Sequence, residues 1–224
     1  EPPAAAVDDE RQAELAVVLA STSLNFDLSI FELFLPLCAG TRLRIVNNVL
    51  DLVASEFVSD ITLLNTVPSA MDAIVKMEVL PPNVKVINLA GEALRQSLLN
   101  GVLAAYPQVS VCNLYGPSED TTYSTFARFD AVITDTPSIG RVISNSIGLV
   151  LNEDQQVVPY GVPGELYLGG AGVTRGYLNR AQLTGERFVA NPFYQAGQGN
   201  GAPRLYRSGD LVRFLPCGNL AFVG

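Results

Sequence analysis

Ile61-Thr-Leu-Leu-Asn-Thr-Val-Pro-Ser-Ala-Met-Asp-Ala-Ile-Val-Lys-Met77 changes its apolar period partway along. Ile61–Thr66 is a short apolar run of strand length, and from Ser69 to Met77 the apolar residues fall at helical spacing. The alternation continues in both directions. Toward the C-terminus, Val84–Leu89 reads as a strand, 93–105 as a helix ending before Pro107, and Val109–Leu114 as another strand. Toward the N-terminus lie a helix at 51–59, an alternating strand at Arg42–Val46, helical spacing from Phe31 to Leu37 with Gly40 as its stop, and an apolar strand at Leu15–Ala20. Strands alternating with helices predict a mostly parallel α/β sheet with flanking helices, whose ligands gather at the carboxyl ends of the strands. Asn65, the Ala90-Gly91-Glu92 turn and the Asn113–Glu119 turn all fall at such ends.

After about Thr136 the pattern switches to short strands separated by Gly, Pro and Asn turns: Ile147–Leu151, Gln156–Val158, Gly164–Leu168, Leu205–Tyr206, Leu211–Leu215 and Leu220–Val223. That spacing predicts a small, distorted, barrel-like β lobe. The expected division is therefore an α/β part over 1–136 and a β-rich lobe over 137–224, with a frayed lead-in at 1–12 and a surface loop at Gln195–Pro203.

Composition narrows the chemistry. The 224 residues carry a formal charge of −8, which gives no basic footprint for a phosphate backbone, so nucleic-acid binding is not expected. There is no His, which removes the usual general base, Ser-His-Asp and Cys-His arrangements and His-based metal sites. Lys occurs only as Lys76 and Lys85. Three cysteines, Cys38, Cys112 and Cys217, have no metal-like spacing and read as ordinary buried or surface thiols in a reducing compartment, with burial as small hydrophobes the favoured reading for each. No apolar run nears the ~18–20 residues that span a bilayer. The first residues carry no signal-peptide pattern, so a cytoplasmic protein is expected.

Local motifs suggest more than one reading each. Asn113-Leu-Tyr-Gly-Pro-Ser-Glu119 leaves an aromatic face, a hydroxyl and a carboxylate at a tight turn, the groups a nucleotide with Mg²⁺ needs. The same Ser118 and Glu119 also suit an ordinary helix start. Asp210, after a Gly turn between two strands, could accept bonds from ribose hydroxyls or close its own hairpin. Gly164 to Tyr177 is Gly-dense but lacks P-loop and dinucleotide-fold settings, so hairpin turns fit it better. Asp27, an acid within an apolar run, either caps a helix or awaits a cationic group such as an α-ammonium.

Taken in order, Phe26-Asp-Leu-Ser-Ile-Phe-Glu32, Asn113-Leu-Tyr-Gly-Pro-Ser-Glu-Asp-Thr121, Ile139-Gly-Arg141, Gly164-Glu-Leu-Tyr-Leu-Gly-Gly-Ala-Gly-Val-Thr-Arg-Gly-Tyr-Leu178, Leu183-Thr-Gly-Glu-Arg-Phe188 and Tyr206-Arg-Ser-Gly-Asp-Leu211 resemble the adenylation domain of nonribosomal peptide synthetases, within the adenylate-forming superfamily. The resemblance runs from about Leu19 to Gly224. It implies activation of an amino acid with ATP and Mg²⁺ to an aminoacyl adenylate, then transfer to the phosphopantetheine thiol of a partner carrier domain, beside a condensation domain. By resemblance Tyr115 stacks on adenine, Asn113 and the Gly91-Glu92-Ala93 turn line the nucleotide, and Ser118 meets the α-phosphate. Glu119 would hold Mg²⁺, Asp210 the ribose, and Asp27 the substrate ammonium through a charge-assisted bond.

The family's pocket-lining positions map to Asp27, Leu28, Phe31, Asn65, Asn88, Ala90, Leu114, Thr122 and Tyr123, with Gly116 beside them. Phe31, Leu114 and Tyr123 are bulky, and no charged residue besides Asp27 is available, so a small neutral amino acid is expected. The set resembles the family's alanine-type pocket, which implies alanine first, with glycine and serine also open. The resemblance also has gaps. The family's Gly/Ser/Thr/Lys phosphate loop does not precede Leu19, its C-terminal lobe with the active-site Lys is not in the sequence, and Cys217 replaces the usual Asp. A partial core, with weak nucleotide binding and little catalysis by itself, is the expectation. An acyl- or aryl-acid ligase of the same superfamily and a non-catalytic nucleotide-binding remnant are the alternatives.

Overall fold

The computed structural model describes residues 9–53, 59–195 and 202–224, which fall into two compact units. The first unit comprises residues through Cys112 together with a returning segment, Phe129–Thr136. Its elements are α1 (Asp9–Glu14), β1 (Val17–Ala20), α2 (Leu28–Ala39), β2 (Arg42–Ile45), a 3-10 turn (Val49–Val53), β3 (Leu63–Thr66), α3 (Pro68–Met77), β4 (Val86–Leu89), α4 (Gln96–Ala105) and the start of β5 (Ser110–Tyr115). The strands run parallel in the order β2-β1-β3-β4. β1, β3 and β4 are buried at every position, as expected of central parallel strands covered on both faces. β2 is the exposed edge, and its Arg42 and Arg44 reach Asp60 at 3.3 and 2.9 Å.

The side chains that seal this unit are Leu19, Ile61, Leu64, Met71, Ile74, Ile87 and Leu89. α2 stops at Gly40, whose left-handed backbone (φ 67°) a side chain would disfavour. α3 opens on Pro68, which loses nothing at the first helical position. The returning segment is held by Asn100, whose side chain donates to the Ile133 carbonyl (2.9 Å) and accepts from the Ile133 amide (2.9 Å). Gln96 donates to that carbonyl at 2.8 Å, and the Ser110 hydroxyl donates to Asp130 at 2.5 Å.

The second unit comprises Asn113–Arg128 and Pro137–Gly224. It contains the end of β5, a 3-10 turn (Ser118–Asp120), β6 (Thr125–Phe129, whose last residue belongs to the first unit), β7 (Arg141–Val142), β8 (Ser146–Leu151), β9 (Gly164–Gly170), α5 (Ala181–Arg187), β10 (Phe188–Ala190), β11 (Arg204–Phe214) and β12 (Leu220–Phe222). β8 to β12 form a curled antiparallel sheet in the order β10-β11-β9-β8, with β12 on β11. Ile139, Val150, Leu166, Leu168, Val212 and Leu220 pack beneath it. The expected fold class, a mostly parallel α/β sheet followed by a distorted half-barrel, is what the structure shows.

Several local expectations differ. The two strands read at 205–206 and 211–215 are one long strand, because the register against β9 slips between Arg207 and Leu211 and the extra residues bulge out without ending the pairing. Gln156–Val158 contributes only an isolated bridge, Leu151 to Val157. α1 occupies part of the lead-in read as frayed, and the helix read at 93–105 starts at Gln96. β6, β7, α5 and β10 are additional to the elements expected. Residues 54–58 of the helix read at 51–59, residues 1–8 of the lead-in and residues 196–201 of the loop lie outside the described residues. Cys112 is buried, as favoured for all three cysteines, whereas Cys38 and Cys217 are surface thiols, a correction for those two. Among the described residues no helix is long and apolar enough to cross a membrane.

Candidate functional site

In the second unit the nucleotide-type residues converge on β5 and the turn that follows it. Tyr115, the last residue of β5, donates its phenol proton to Asp210 Oδ2 at 2.5 Å. Burial first, then the neighbouring Asp210 carboxylate, push the Tyr115 phenol well above its usual range, so it stays a donor. Asp210 sits in the β11 bulge, where its amide donates to Ser208 Oγ (3.0 Å) and Ser208 Oγ donates to the Leu166 carbonyl (2.7 Å). Asp210 therefore stands in a bulge of a paired strand, and the hairpin-closing alternative is not the one used. Asn113, on the same strand as Tyr115, spends its side-chain amide on the Ser138 carbonyl at 2.9 Å.

Gly116 is required by close approach. A Cβ there would lie 2.6 Å from the Thr122 carbonyl oxygen and 2.7 Å from the Ser124 amide. The chain doubles back at this point through Thr121 and Thr122, both at positive φ (57° and 69°), and the Ser124 amide donates to the Tyr115 carbonyl. Leu114, Thr122 and Tyr123 are buried along this doubled segment. Ser118 is exposed and Glu119 partly buried on the 3-10 turn. The Tyr177 hydroxyl donates to Glu119 Oε1 at 2.5 Å, and the Glu119 carbonyl accepts from the Thr174 amide at 2.8 Å. Tyr177 packs edge-on against Phe188 at 5.6 Å, and Phe188 in turn meets Tyr206 at 5.2 Å. The Gly-dense stretch thus buttresses the carboxylate through its tyrosine, a role the sequence reading does not assign. Asp120 is buried, accepts from Ser124 Oγ at 2.7 Å, and is pushed upward by desolvation, against which that bond acts.

Among the described residues no group of three or more His, Cys, Asp or Glu gathers as a metal cage. A single partly exposed carboxylate is nonetheless the donor set that suits Mg²⁺ arriving with a nucleotide, since this ion takes one or two carboxylates and completes its shell with phosphate oxygens and water. Glu119 fits that description.

In the first unit, Asp27 precedes α2 with helical backbone angles and makes no capping bond with its side chain, so the capping alternative is not used. Leu28 and Phe31 follow on the first turns of α2. Asn65 and Asn88 are register partners on β3 and β4, both buried. Ala90 donates its amide to the Thr66 carbonyl at 3.2 Å and is buried after β4. Gly91 turns at φ 81°, and Ala93 is exposed. Glu92 is committed to structure: its carboxylate accepts from the Ser69 amide (2.9 Å) and the Ser69 hydroxyl (2.8 Å) at the start of α3. Such a bond offsets the orphan amides of a helix start. Sequence reasoning misses Glu32. It is fully buried in α2 and accepts from the Ser21 amide (2.9 Å), the Thr22 amide (3.0 Å), the Thr22 hydroxyl (2.5 Å) and the Asn65 side-chain amide (3.1 Å). A charge inside the apolar run Ile30-Phe-Glu-Leu-Phe34 is the available signal.

A mostly parallel sheet followed along the chain by a curled antiparallel one is the architecture of adenylate-forming enzymes, and similarity to known proteins agrees. The family model for AMP-binding enzymes matches residues 4–178, and the chain belongs to that family. Within it, the similarity is to adenylation domains of nonribosomal peptide synthetases. The chain is 50% identical over 212 residues to a linear gramicidin synthase polypeptide of Brevibacillus parabrevis, covering 94% of this chain and 4% of that protein. It is 44% identical over 214 residues to the AMB antimetabolite synthetase AmbB of Pseudomonas aeruginosa, covering 94% of this chain and 16% of that one. Among solved structures, the Vibrio cholerae adenylation domain AlmE in complex with glycyl-adenosine-5′-phosphate superimposes with a TM-score of 0.79 at 28% identity, over 93% of this chain and 40% of that one. PA1221, a synthetase protein containing adenylation and PCP domains, superimposes with a TM-score of 0.81 at 25% identity, over 94% and 43%. The chain thus spans a small part of the curated relatives it matches.

Proposed function

We propose that this region selects and activates a small neutral amino acid, alanine foremost, as its adenylate. In the reaction a carboxylate oxygen of the amino acid attacks the α-phosphorus of ATP, the bond to the β-phosphate breaks, and pyrophosphate leaves. The acyl group then passes to the thiol of a carrier domain's phosphopantetheine, releasing AMP. The observation that carries the reading is the Tyr115–Asp210 hydrogen bond, which unites the expected adenine-stacking ring and the expected ribose acceptor across 95 residues of sequence.

Each residue has a defined task. Tyr115 presents its ring to the base, and Asp210 accepts from the ribose hydroxyls with its remaining acceptor capacity. Asn113 and the Gly91-Glu92-Ala93 turn serve the nucleotide mainly as scaffold, since the Asn113 amide and Glu92 carboxylate already have protein partners. Ser118 donates to the α-phosphate. Glu119 would hold Mg²⁺ arriving with the nucleotide, and the ion would supply neutralisation of phosphate charge. Asp27 pairs with the substrate ammonium, and Leu28, Phe31, Asn65, Asn88, Ala90, Leu114, Gly116, Thr122 and Tyr123 set the space for the side chain. The glycyl adenylate seen in AlmE supports a small substrate, and the adenylation and PCP domains of PA1221 support a carrier partner. A condensation domain is the expected consumer of the loaded carrier.

Amino-acid-dependent ATP–pyrophosphate exchange across the twenty amino acids, on the full-length protein, tests this. Alanine is expected to dominate, and Asp27→Ala to lower its kcat/KM on the order of a hundredfold or more, as for a desolvated ion pair that loses one partner. Dominant exchange with a large or charged amino acid sinks the substrate assignment. Activation of propionate in preference to alanine replaces it with an acyl-acid ligase.

A further inference from the structure

Glu32 is buried to 0% exposure, and each of its four described partners, two backbone amides, one hydroxyl and one carboxamide, can satisfy it by donating. An ionised carboxylate is the acceptor-only group that meets four donors at once. A buried anion is tolerated when its hydrogen bonds are complete, and the backbone amides of Ser21 and Thr22 supply oriented dipoles that do not depend on the side chains at those positions. The three elements it joins are those the pocket reading depends on: the chain leaving β1, the helix α2 that begins just after Asp27, and β3 with Asn65.

We propose that Glu32 is a positioning residue for amino-acid selection: it fixes the orientation of the Asn65 carboxamide and pins α2, with Asp27 and Phe31, to the end of β1. Glu32 Oε1 can only accept, so the Asn65 Nδ2 must face it; the reversed amide would set two acceptor oxygens against each other. Asn65 therefore presents its carbonyl oxygen on the side away from Glu32. This inference rests on the reading that Asn65 and the first turns of α2 line the side-chain pocket.

Glu32→Gln is nearly isosteric and tests the orientation. The two amides of Ser21 and Thr22 draw the carboxamide oxygen toward themselves, which leaves its NH₂ facing Asn65 and reverses that bond. In pyrophosphate exchange by the full-length protein, the KM for alanine is expected to rise about tenfold, the scale of a misplaced hydrogen bond to a charged group. kcat and the KM for ATP are expected to stay within about twofold. Combining Glu32→Gln with Asn65→Asp restores a donor–acceptor pair with its direction exchanged and is expected to recover most of the alanine KM.

An unchanged alanine KM in Glu32→Gln, with Asn65→Ala still raising it, overturns the proposal and leaves the pocket reading intact. If Asn65→Ala and Asp27→Ala both leave the alanine KM unchanged, the pocket reading itself fails. If the single variant is insoluble, the double variant decides: a folded protein with recovered KM supports the proposal and one without recovery overturns it. Insolubility of both also overturns it, because Glu32 is then a folding requirement with no separate part in selection.

Discussion

Tyr115 shows how much one hydroxyl can organise. Its ring alone would suffice for stacking, yet its phenol is tied to Asp210. Tyr115→Phe keeps the ring and releases Asp210, so the KM for ATP is expected to rise about three- to tenfold, within the range of one charge-assisted hydrogen bond, with the amino-acid KM unchanged. Titration calorimetry with ATP checks this, and equal nucleotide affinity in the variant would separate Asp210 from nucleotide binding. Gly116 makes a harsher prediction. Gly116→Ala drives a methyl into the Thr122 carbonyl, backbone against which no rotamer change helps. Overpacking of this kind costs about 1–3 kcal/mol. A lowered Tm is expected together with loss of exchange activity, since the displaced segment carries Thr122 and Tyr123.

At the scale of elements, the edge strand β2 is held through its arginines. Asp60 is pulled below the usual carboxylate range, first by its hydrogen bond to Arg44 and also by the charges of Arg44 and Arg42, with desolvation opposing. A carboxyl whose folded pKa is depressed contributes stability above its unfolded value, near pH 4, and loses it as pH falls through the folded one. Asp60→Asn is therefore expected to lower Tm slightly at pH 7, to converge on the parent as the pH falls through the depressed folded pKa of Asp60, and to lose its effect in about 1 M salt, because the arginines are exposed. Thermal melts across pH and salt provide the check. Elements such as β3, α3 and β4 were legible because burial on both faces leaves an apolar run or an unambiguous helical period. β11 was not, since Gly209 and Asp210 read as a turn until the pairing with β9 carries the strand past them. α5 has no buried residue and so no apolar stripe to announce it. Of the candidate site, Tyr115, Glu119, Asp210 and Asp27 could be singled out from the sequence because each residue type suggests a chemistry, and the structure adds that Tyr115 and Asp210 meet. Glu32 and Tyr177 escaped because their meaning lies in partners 33 and 58 residues away.

For the whole molecule, the surface carries a prediction. Leu24, Phe26, Ile30, Phe34, Leu37 and Ile45 are large, apolar and exposed in the first unit. The 224-residue chain produced by itself is expected to bind a hydrophobic dye and self-associate, and Phe34→Glu with Leu37→Lys to reduce both, as read by light scattering. Monomeric, dye-negative behaviour of the unaltered chain would contradict it. The two units are also interleaved in sequence, because Phe129–Thr136 returns to the first after Asn113–Arg128 has entered the second. Gln96, Asn100 and Ser110 wait for Ile133 and Asp130 to complete their bonds. On the ribosome, then, the first unit still lacks the Phe129–Thr136 segment when Cys112 emerges. Synthesis must run through Thr136 before that half has its full set of partners, so its maturation is timed by translation of its neighbour, and a pause or stop between them leaves Gln96, Asn100 and Ser110 without Ile133 and Asp130.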